Sequence, residues 1–374
     1  MKKIYKGVWL LLGLAGAFAA CRDMDDNYKD YIVNGGITYP GKPQKVSLHP
    51  GNNRAMLQWL KGTDPKVVKA RIFWNNYTDS VELDMPSKGD TVNYTFATLP
   101  EGDYTFNIRT YDEKNNASIP VEISGRVFGA TYGGTLLNRP VSASELAFSG
   151  SLKIGWGSPD TVNGAFAMEV KYINVAGAET ITRFGIKETN TEITDFKPGG
   201  TYEFRTLFLP DSLAIDTFYT PFQLAKNEFK LAKQGWIAYA NSFEPSGQQP
   251  NGAPTKILDD NAETYWHSVH TSPSPRYPHW VVVGTINTVE LTRVELTSRS
   301  SHFREDFTAF RLEGSMDGNT WTEYGSFTQA EITGPQSFAI PGKPQAKFIR
   351  IYMTAGPTIH SHMAEFSAFG NYVQ

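Results

Sequence analysis

Residues 256–268 read Lys-Ile-Leu-Asp-Asp-Asn-Ala-Glu-Thr-Tyr-Trp-His-Ser, and this polar turn leading into an aromatic segment decides the fold predicted for the last third of the chain. Further blocks follow in order at 278–283, 310–321, 347–351 and 364–366. The first of these, Pro-His-Trp-Val-Val-Val, is a short apolar run that predicts a buried strand. The second contains Asp-Gly-Asn between apolar residues, which predicts a turn between two strands.

These blocks, in this order, resemble the discoidin family, also called the coagulation factor 5/8 type C family. The resemblance covers residues 234–374 and implies a jelly-roll β-sandwich that is galactose-binding-like and similar to family 32 carbohydrate-binding modules. Where the family usually has Asp-Gly, this chain has Asp259-Asp260, so the turn must accommodate a Cβ, which Asp tolerates better than most residues. The motif blocks also hold three tryptophans that we expect in the core: Trp266, Trp280 and Trp321.

Composition limits the class of protein. A chain of 374 residues is long enough for two or three domains of about 100 to 200 residues each. The formal net charge of -3, without a basic stripe, excludes nucleic acid as an expected partner. Glycine and proline interrupt the chain at short intervals and long amphipathic helical windows are absent, which favours short antiparallel strands. We therefore predict an all-β protein.

The N-terminus has the pattern of an export signal. Residues 1–20 combine lysines with a short apolar run that ends in small residues before Cys21. This resembles a bacterial lipoprotein signal peptide, and it implies that Cys21 is lipidated. The alternative is an ordinary secretory signal with a free thiol. An acidic run in the flexible tether, 21–40, resembles a surface-export signal, so we expect a lipid anchor in the outer membrane with the protein facing the cell exterior.

A duplicated module lies between the tether and the discoidin-like region. Trp59 and Trp156 end similar strands 97 positions apart, and Tyr104 and Tyr202 begin similar strands 98 positions apart. A near-constant offset indicates two copies of one unit. The copies resemble fibronectin type III or immunoglobulin-like sandwiches, and also an N-terminal lipoprotein family of unknown function. The predicted domains are 41–127 and 128–225, and we interpret their aromatic residues as core rather than as a ligand platform.

The discoidin resemblance implies a calcium site with a structural role. A turn that presents carboxylate and carbonyl oxygens together suits a hard cation. The alternative is that Asp259 and Asn261 only cap a turn. By resemblance, the ligands are the side chains or backbone oxygens of Lys256, Asp259, Asn261, Thr264, Ala364 and Glu365.

Histidine is concentrated in the same region, where six of the seven histidines lie beyond residue 260. In carbohydrate-binding relatives, loops at one end of the barrel carry an aromatic ring with His, Arg and Asn donors. Such a combination suits a sugar, because C–H groups pack on a ring while hydroxyl groups need fixed donors and acceptors. Three loops, 267–277, 298–306 and 354–362, are candidates. The predicted carbohydrate-binding residues are His302, Arg304, Arg276, Tyr277, His360 and Phe303.

These features favour a binding protein over an enzyme, because no opposed carboxylate pair, phosphate loop or serine-nucleophile motif is present. The leading hypothesis is a non-catalytic cell-surface lipoprotein that captures glycans, with glycan-degrading enzymes or an outer-membrane transporter as partners. The alternative is an adhesin that binds a host or bacterial protein through the same domain. Phospholipid binding ranks last, since the loops are rich in Ser, His and Pro rather than in large apolar residues.

Overall fold

The computed structural model describes Tyr31, Gly36 and residues 38–373, apart from 226–227, 247 and 272. The predicted signal peptide, Cys21 and almost all of the predicted tether lie outside the described residues. Among the residues described, no helix has both the length and the apolar character needed to cross a bilayer. The chain divides into two compact units, and the division falls between Phe128 and Gly129.

The first unit is a β-sandwich of a three-stranded and a four-stranded sheet. Trp59 lies at its centre, fully buried between the sheets, as the sequence predicted. One sheet has the order β1-β2-β5 and the other β4-β3-β6-β7, which is the arrangement of a fibronectin type III sandwich. The strands are β1 (Gln44–Pro50), β2 (Ala55–Leu60), β3 (Val67–Trp74), β4 (Asp79–Asp84), β5 (Thr91–Phe96), β6 (Gly102–Asp112) and β7 (Val121–Val127).

The second unit starts with a short helix, α1 (Ala130–Thr135), and a sandwich that repeats the strand order of the first. Trp156, the counterpart of Trp59, is buried and donates its indole N–H to Thr191 Oγ1 at 3.0 Å. The repeat predicted from the 97-residue offset is therefore a repeat of topology. The strands are β8 (Val141–Leu146), β9 (Leu152–Trp156), β10 (Ala165–Ile173), β11 (Glu179–Gly185), β12 (Asn190–Ile193), β13 (Tyr202–Phe208), β14 (Phe218–Tyr219) and β15 (Gln223–Leu224).

A jelly-roll sandwich forms the rest of the second unit, as the discoidin resemblance implied. Its long central strand, His279–Ser298, changes partners along its length: residues up to 290 pair with the strand at 345–355, residues from 289 onward pair with the strand at 365–372, and the register of the first pairing shifts between Gly284 and Val289. The strands are β16 (Phe229–Leu231), β17 (Ile237–Ala240), β18 (Trp266–His267), β19 (His279–Ser298), β20 (Ala309–Ser315), β21 (Thr322–Thr328), β22 (Gly334–Ala339), β23 (Gln345–Ala355), β24 (His362–Met363) and β25 (Glu365–Tyr372). Short 3-10 helices span Pro254–Leu258 and Phe303–Glu305.

The strand β16 joins the second sandwich to the jelly roll. Residues 226–233 fall between the predicted domains, yet β16 pairs in parallel with β8 and antiparallel with β25. Phe229 and Leu231 are fully buried, and the Phe229 ring lies 5.6 Å from that of Phe196 in the second sandwich. A continuous hydrogen-bonded sheet therefore runs through both modules.

The expectation that three tryptophans of the motif blocks lie in the core is wrong for two of them. Trp266 is fully buried, but Trp280 and Trp321 are only partly buried. The Trp280 ring packs edge-on against Tyr239, and the Arg350 guanidinium lies 4.1 Å from the centre of the Trp321 ring. A motif position identifies the strand on which a residue lies but leaves open which face of the strand it occupies.

Candidate functional site

Backbone and side-chain hydrogen bonds hold the three predicted loops together at one end of the jelly roll. Strands β18 and β24 pair, so His267 stands opposite His362. Beyond this pair, Ser268 donates its backbone N–H to the Ser361 carbonyl at 2.9 Å. The Tyr277 hydroxyl donates to the His360 carbonyl at 2.9 Å. Loops 267–277 and 354–362 therefore form a single bonded surface.

Four histidines meet beneath this surface. The His267 ring lies 4.2 Å from that of His362, 5.0 Å from that of His270 and 5.9 Å from that of His360, measured between ring centres. Burial lowers the pKa of His267 to about 3 and that of His362 to about 2, with nearby positive groups adding to both effects. These two buried rings are therefore neutral near pH 7.

An ionisable group from the third loop completes the cluster. Asp306 Oδ1 lies 2.7 Å from His362 Nδ1, and each side chain is only 2% exposed. Burial raises the pKa of Asp306 to about 7, although the Arg299 guanidinium opposes that effect. Arg299 lies over the Tyr265 ring at 5.1 Å and donates to the His302 carbonyl at 3.3 Å. Loop 298–306 is thus fixed to the other two loops through buried polar contacts.

The carboxylate of Glu244 anchors loop 267–277 from below. Its Oε2 accepts the backbone N–H groups of His270 and Thr271 at 3.1 and 3.3 Å, and it lies 3.0 Å from His270 Nδ1. The Glu244 side chain is fully buried. A buried carboxylate that accepts several N–H groups holds a loop rigidly, since each lost bond would leave a buried charge less satisfied.

The predicted sugar-binding residues separate into two groups. His302, Arg304 and Arg276 are exposed, while Phe303 is half-buried with the Arg304 guanidinium 5.6 Å from its ring centre. His302 adopts a left-handed conformation with φ 62°, just before the 3-10 helix that carries Phe303 and Arg304. These residues present cationic and ring groups to solvent above the histidine cluster.

Tyr277 and His360 have more internal roles. The Tyr277 hydroxyl donates its hydrogen bond to the His360 carbonyl, and burial raises the pKa of Tyr277 to about 12. A Cβ added to Gly356 would lie 2.2 Å from that hydroxyl, so the ring fills the space that this glycine leaves. His360 is half-buried, and its Nδ1 makes no hydrogen bond with the described residues. Tyr277 thus positions the backbone of His360, whose Nδ1 is buried and unbonded among the described residues.

Several residues of this surface were not among the sequence predictions. Glu244, Arg299 and Asp306 carry no local motif, and only the clustering of histidines pointed toward them. Phe243, which is 43% exposed, directly precedes Glu244 and adds an apolar ring close to loop 267–277. Its position in a loop before the signature stretch gave no sign of this proximity.

Part of the predicted calcium-ligand set is assembled in the turn after the 3-10 helix Pro254–Leu258. Thr264 Oγ1 lies 2.8 Å from both carboxylate oxygens of Asp259 and 3.0 Å from the Asn261 carbonyl. Asp260 has φ 56°, the conformation for which the family uses glycine, so Asp is accommodated there. Lys256 Nζ lies 3.4 Å from Asp259 Oδ2.

Glu365 supplies the other predicted carboxylate, from the start of β25. Its Oε1 accepts from Lys233 Nζ and from the Phe366 N–H, whereas its buried Oε2 has no partner among the described residues. Burial raises the pKa of Glu365, and Lys233 opposes that shift. Lys233 also pairs with Asp260 at 2.9 Å. The described residues contain no group of three or more His, Cys, Asp or Glu side chains arranged to hold a metal.

Two protein-family models match the chain, one over its N-terminal part and one over its C-terminal part. A family model described as a domain of unknown function, DUF4998, matches residues 21–218, which is more than half of the chain. The chain belongs to this family. A second model, the F5/8 type C domain, matches residues 238–366 of this DUF4998 protein. The C-terminal part is therefore an F5/8 type C domain, which confirms the discoidin resemblance seen in the sequence.

The solved structures to which the DUF4998 protein is similar are single domains. Each match covers almost the whole of the solved domain but less than half of this chain. The C-terminal domain of a chitobiase from Bacteroides fragilis is 24% identical, with 99% of that chain and 39% of this one covered and a TM-score of 0.37. A family 32 carbohydrate-binding module from Clostridium perfringens in complex with galactose is 19% identical (98% and 38% covered, TM-score 0.34). Another C. perfringens module, in complex with GalNAc-β-1,3-galactose, is 17% identical (98% and 37%, TM-score 0.35).

Proposed function

We propose that this protein is a non-catalytic, lipid-anchored cell-surface protein that binds carbohydrate through its F5/8 type C domain and takes part in glycan capture. The single observation that carries the proposal is the convergence of three loops on one rigid surface. His302, Arg304 and Arg276 are exposed on these loops, and the Arg304 guanidinium lies 5.6 Å from the centre of the half-buried Phe303 ring. The membrane anchor is supported by the sequence around Cys21 and by the acidic run that follows it.

The groups on this surface suit a sugar. Arg304 and Arg276 provide several planar donors on exposed side chains. The exposed Phe243 ring and the half-buried Phe303 ring offer apolar faces for C–H groups. Because Tyr277, Glu244 and Asp306 hold the loops by buried hydrogen bonds, a ligand would meet a preformed surface and lose less free energy in ordering it.

The same geometry supports a non-catalytic role. The His362–Asp306 pair is almost completely buried, and in the His270–Glu244 pair the carboxylate is fully buried, so neither carboxyl group contacts a molecule bound outside. The adjacent hydroxyl of Ser361 is also buried and bonds to Met353 Sδ at 3.0 Å. A proton-transfer residue has to come within hydrogen-bonding reach of its substrate. These side chains act as a scaffold beneath the surface.

We also propose that calcium binds between the Asp259 turn and Glu365. Asp259, Asn261 and Thr264 already hold their oxygens close together, and Glu365 Oε2 is a buried carboxylate oxygen without a partner. Hard oxygen ligands of this kind suit calcium. Lys256 and Ala364 would add backbone oxygens. A bound calcium ion would supply positive charge and cross-link the turn to β25, with no part in a reaction.

The test is a glycan array probed with the full chain purified in detergent, with calcium and with a chelator. We expect selective binding to one class of glycan, and about 10-fold weaker binding for Arg304→Ala, because a central arginine contact often contributes that much. Lys343→Ala removes an exposed cation from a distant turn of the same domain and serves as the control. A folded chain that binds no glycan would contradict the proposal and favour a protein ligand.

A further inference from the structure

The first sandwich carries a cavity of its own, at the outer face of the sheet formed by β3, β6 and β7. Its volume is about 470 Å³, and we call it the β3–β6 cavity. The residues that matter for its chemistry are Trp74, Asn76, Tyr77, Tyr104, Asn107 and Glu122. We propose that the β3–β6 cavity binds a neutral carbohydrate and is a second binding site, independent of the F5/8 type C domain.

Strand alternation places the polar floor of the cavity on the outer face. In β6, Phe106 and Ile108 are fully buried, so Asn107 between them points away from the core. The backbone register sets Asn107 beside Phe73 of β3 on one side and beside Glu122 of β7 on the other. An amide and a carboxylate therefore lie side by side on neighbouring strands.

A tight turn between β3 and β4 forms one wall. Asn75, Asn76 and Tyr77 all have positive φ angles, of 50°, 53° and 64°. Three successive residues in this region are strained, and strained turns occur most often where a side chain must be aimed for function. The turn is fixed by an Asn75 Nδ2 to Asp79 Oδ2 hydrogen bond of 2.6 Å. This turn directs the half-exposed Tyr77 ring toward the cavity, with its centre 5.2 Å from that of the Phe73 ring.

The other aromatic residues of the cavity are held from behind. The Trp74 ring packs edge-on against buried Phe96 at 5.1 Å. Tyr104 donates its hydroxyl to the Pro100 carbonyl at 3.0 Å, and its ring stacks near Phe106 at 5.9 Å. By strand alternation both rings lie on the core face, in phase with buried Ile72 and Phe106, so they support the cavity from within and Tyr77 supplies its exposed ring.

Four polar side chains of the cavity have no partners among the residues that the structure describes. Asn76, Asn107, Asp103 and Glu122 make no side-chain hydrogen bond and no ion pair with the described residues. Amides offer both a donor and an acceptor, and carboxylates accept two or more hydrogen bonds, which together match the hydroxyl groups of a sugar. The Tyr77 ring beside these unbonded planar groups forms the pairing that carbohydrate recognition needs.

The charge of the lining selects among carbohydrates. Asp103 and Glu122 are carboxylates, and no Lys or Arg belongs to the lining residues described. Bringing an anionic sugar such as a uronic acid beside these groups would cost electrostatic free energy. A neutral saccharide meets no such penalty. Because Asp103 and Glu122 lie in the first unit, this selection acts apart from the loops around Arg304 in the second.

The test is isothermal titration of the full chain, in detergent, with cellohexaose, xylohexaose, mannohexaose and maltohexaose as neutral probes and tetragalacturonate as the anionic probe. The variants are Tyr77→Ala and Asn107→Ala. Tyr39→Ala, an exposed tyrosine of the same unit outside the cavity, is the matched control. We expect at least one neutral probe to bind in the Arg304→Ala background and each cavity variant, made in that background, to weaken it about 10-fold, while Tyr39→Ala leaves that binding unchanged.

Three results would overturn the inference. The first is that no neutral probe binds to Arg304→Ala although the variant is folded. The second is that Tyr77→Ala and Asn107→Ala, made in that background, both bind every probe as Arg304→Ala alone does. The third is preferential binding of tetragalacturonate to the cavity. If a neutral probe binds to Arg304→Ala but not to Tyr77→Ala in the same background, the result supports binding at the cavity, whichever ligand the F5/8 type C domain binds.

Discussion

The backbone N–H of Gly199 donates to the side-chain carbonyl of Asn371 at 2.8 Å, which joins a turn of the second sandwich to the last strand of the F5/8 type C domain. The pairing of β16 with both β8 and β25 makes the same connection through backbone hydrogen bonds. On the apolar side, Phe229 contacts Phe196 and Tyr202 of the sandwich. These contacts fit two modules that unfold as a single unit.

Phe229→Ala should lower the stability of both modules together. The side chain is fully buried, and truncating a buried phenylalanine costs about 3–5 kcal/mol. Differential scanning calorimetry of the full chain should show one transition for residues 129–374 that shifts as a whole. Leu224→Ala, at a position 54% exposed, is the control and should change stability by no more than about 0.5 kcal/mol. Two transitions, of which only one shifts, would contradict this prediction.

Features that depend on a repeated or alternating residue pattern could be predicted from the sequence. Short strands and contacts between residues distant in sequence could not. Trp59 and Trp156 were recognised because a whole strand pattern recurs around them, and the F5/8 type C domain because its blocks come in order. β16 has only three residues, too few for any periodicity, and it pairs in parallel with a strand of another module. Glu244 and Asp306 were missed because their partners are distant in sequence, so nothing beside them indicates a buried carboxylate.

Glu365→Gln should remove the response of thermal stability to calcium. Glu365 Oε2 is buried and has no partner within the described part of the chain, so a bound cation would use it directly. At a calcium concentration of 100 times Kd, binding stabilises the folded state by about 2.7 kcal/mol. Melting temperature with calcium and with a chelator measures the effect. Asp260→Asn, which loosens Lys233 without removing a predicted ligand, is the control and should keep the response; an equal response in Glu365→Gln would exclude the site.

Acidification should destabilise the loop surface through His267. Burial lowers the pKa of His267 from 6.5 to about 3, so below pH 6.5 the unfolded chain takes up a proton that the folded chain does not. Stability from this group is therefore lost as pH falls, by about 1.4 kcal/mol per pH unit. Asp306 acts in the opposite direction, since burial raises its pKa to about 7 and the folded state holds its proton.

Comparison with His267→Gln isolates the histidine contribution. Urea unfolding at pH 7.5, 6.5, 5.5 and 4.5 gives the stability of both proteins, and Asp306 contributes to both. We expect the free energy of unfolding of the unaltered chain to exceed that of the variant by a constant amount above pH 6.5. Below pH 6.5 this difference should shrink steadily. A difference that stays the same at all four pH values would show that the pKa of His267 is the same in the folded and unfolded states, and would contradict this prediction.

Tyr277→Phe and Arg304→Ala should separate positioning from contact. Tyr277→Phe removes only the hydroxyl that donates to the His360 carbonyl, so stability should fall by about 0.5–1.5 kcal/mol. Its glycan affinity should fall less than that of Arg304→Ala, because the His360 ring stays near its place through Thr358, which bonds to the same carbonyl at 3.2 Å. Arg304 is exposed, so its truncation should leave the melting temperature unchanged while affinity falls. If Tyr277→Phe instead lost affinity with no loss of stability, the Tyr277 hydroxyl would be a direct ligand contact.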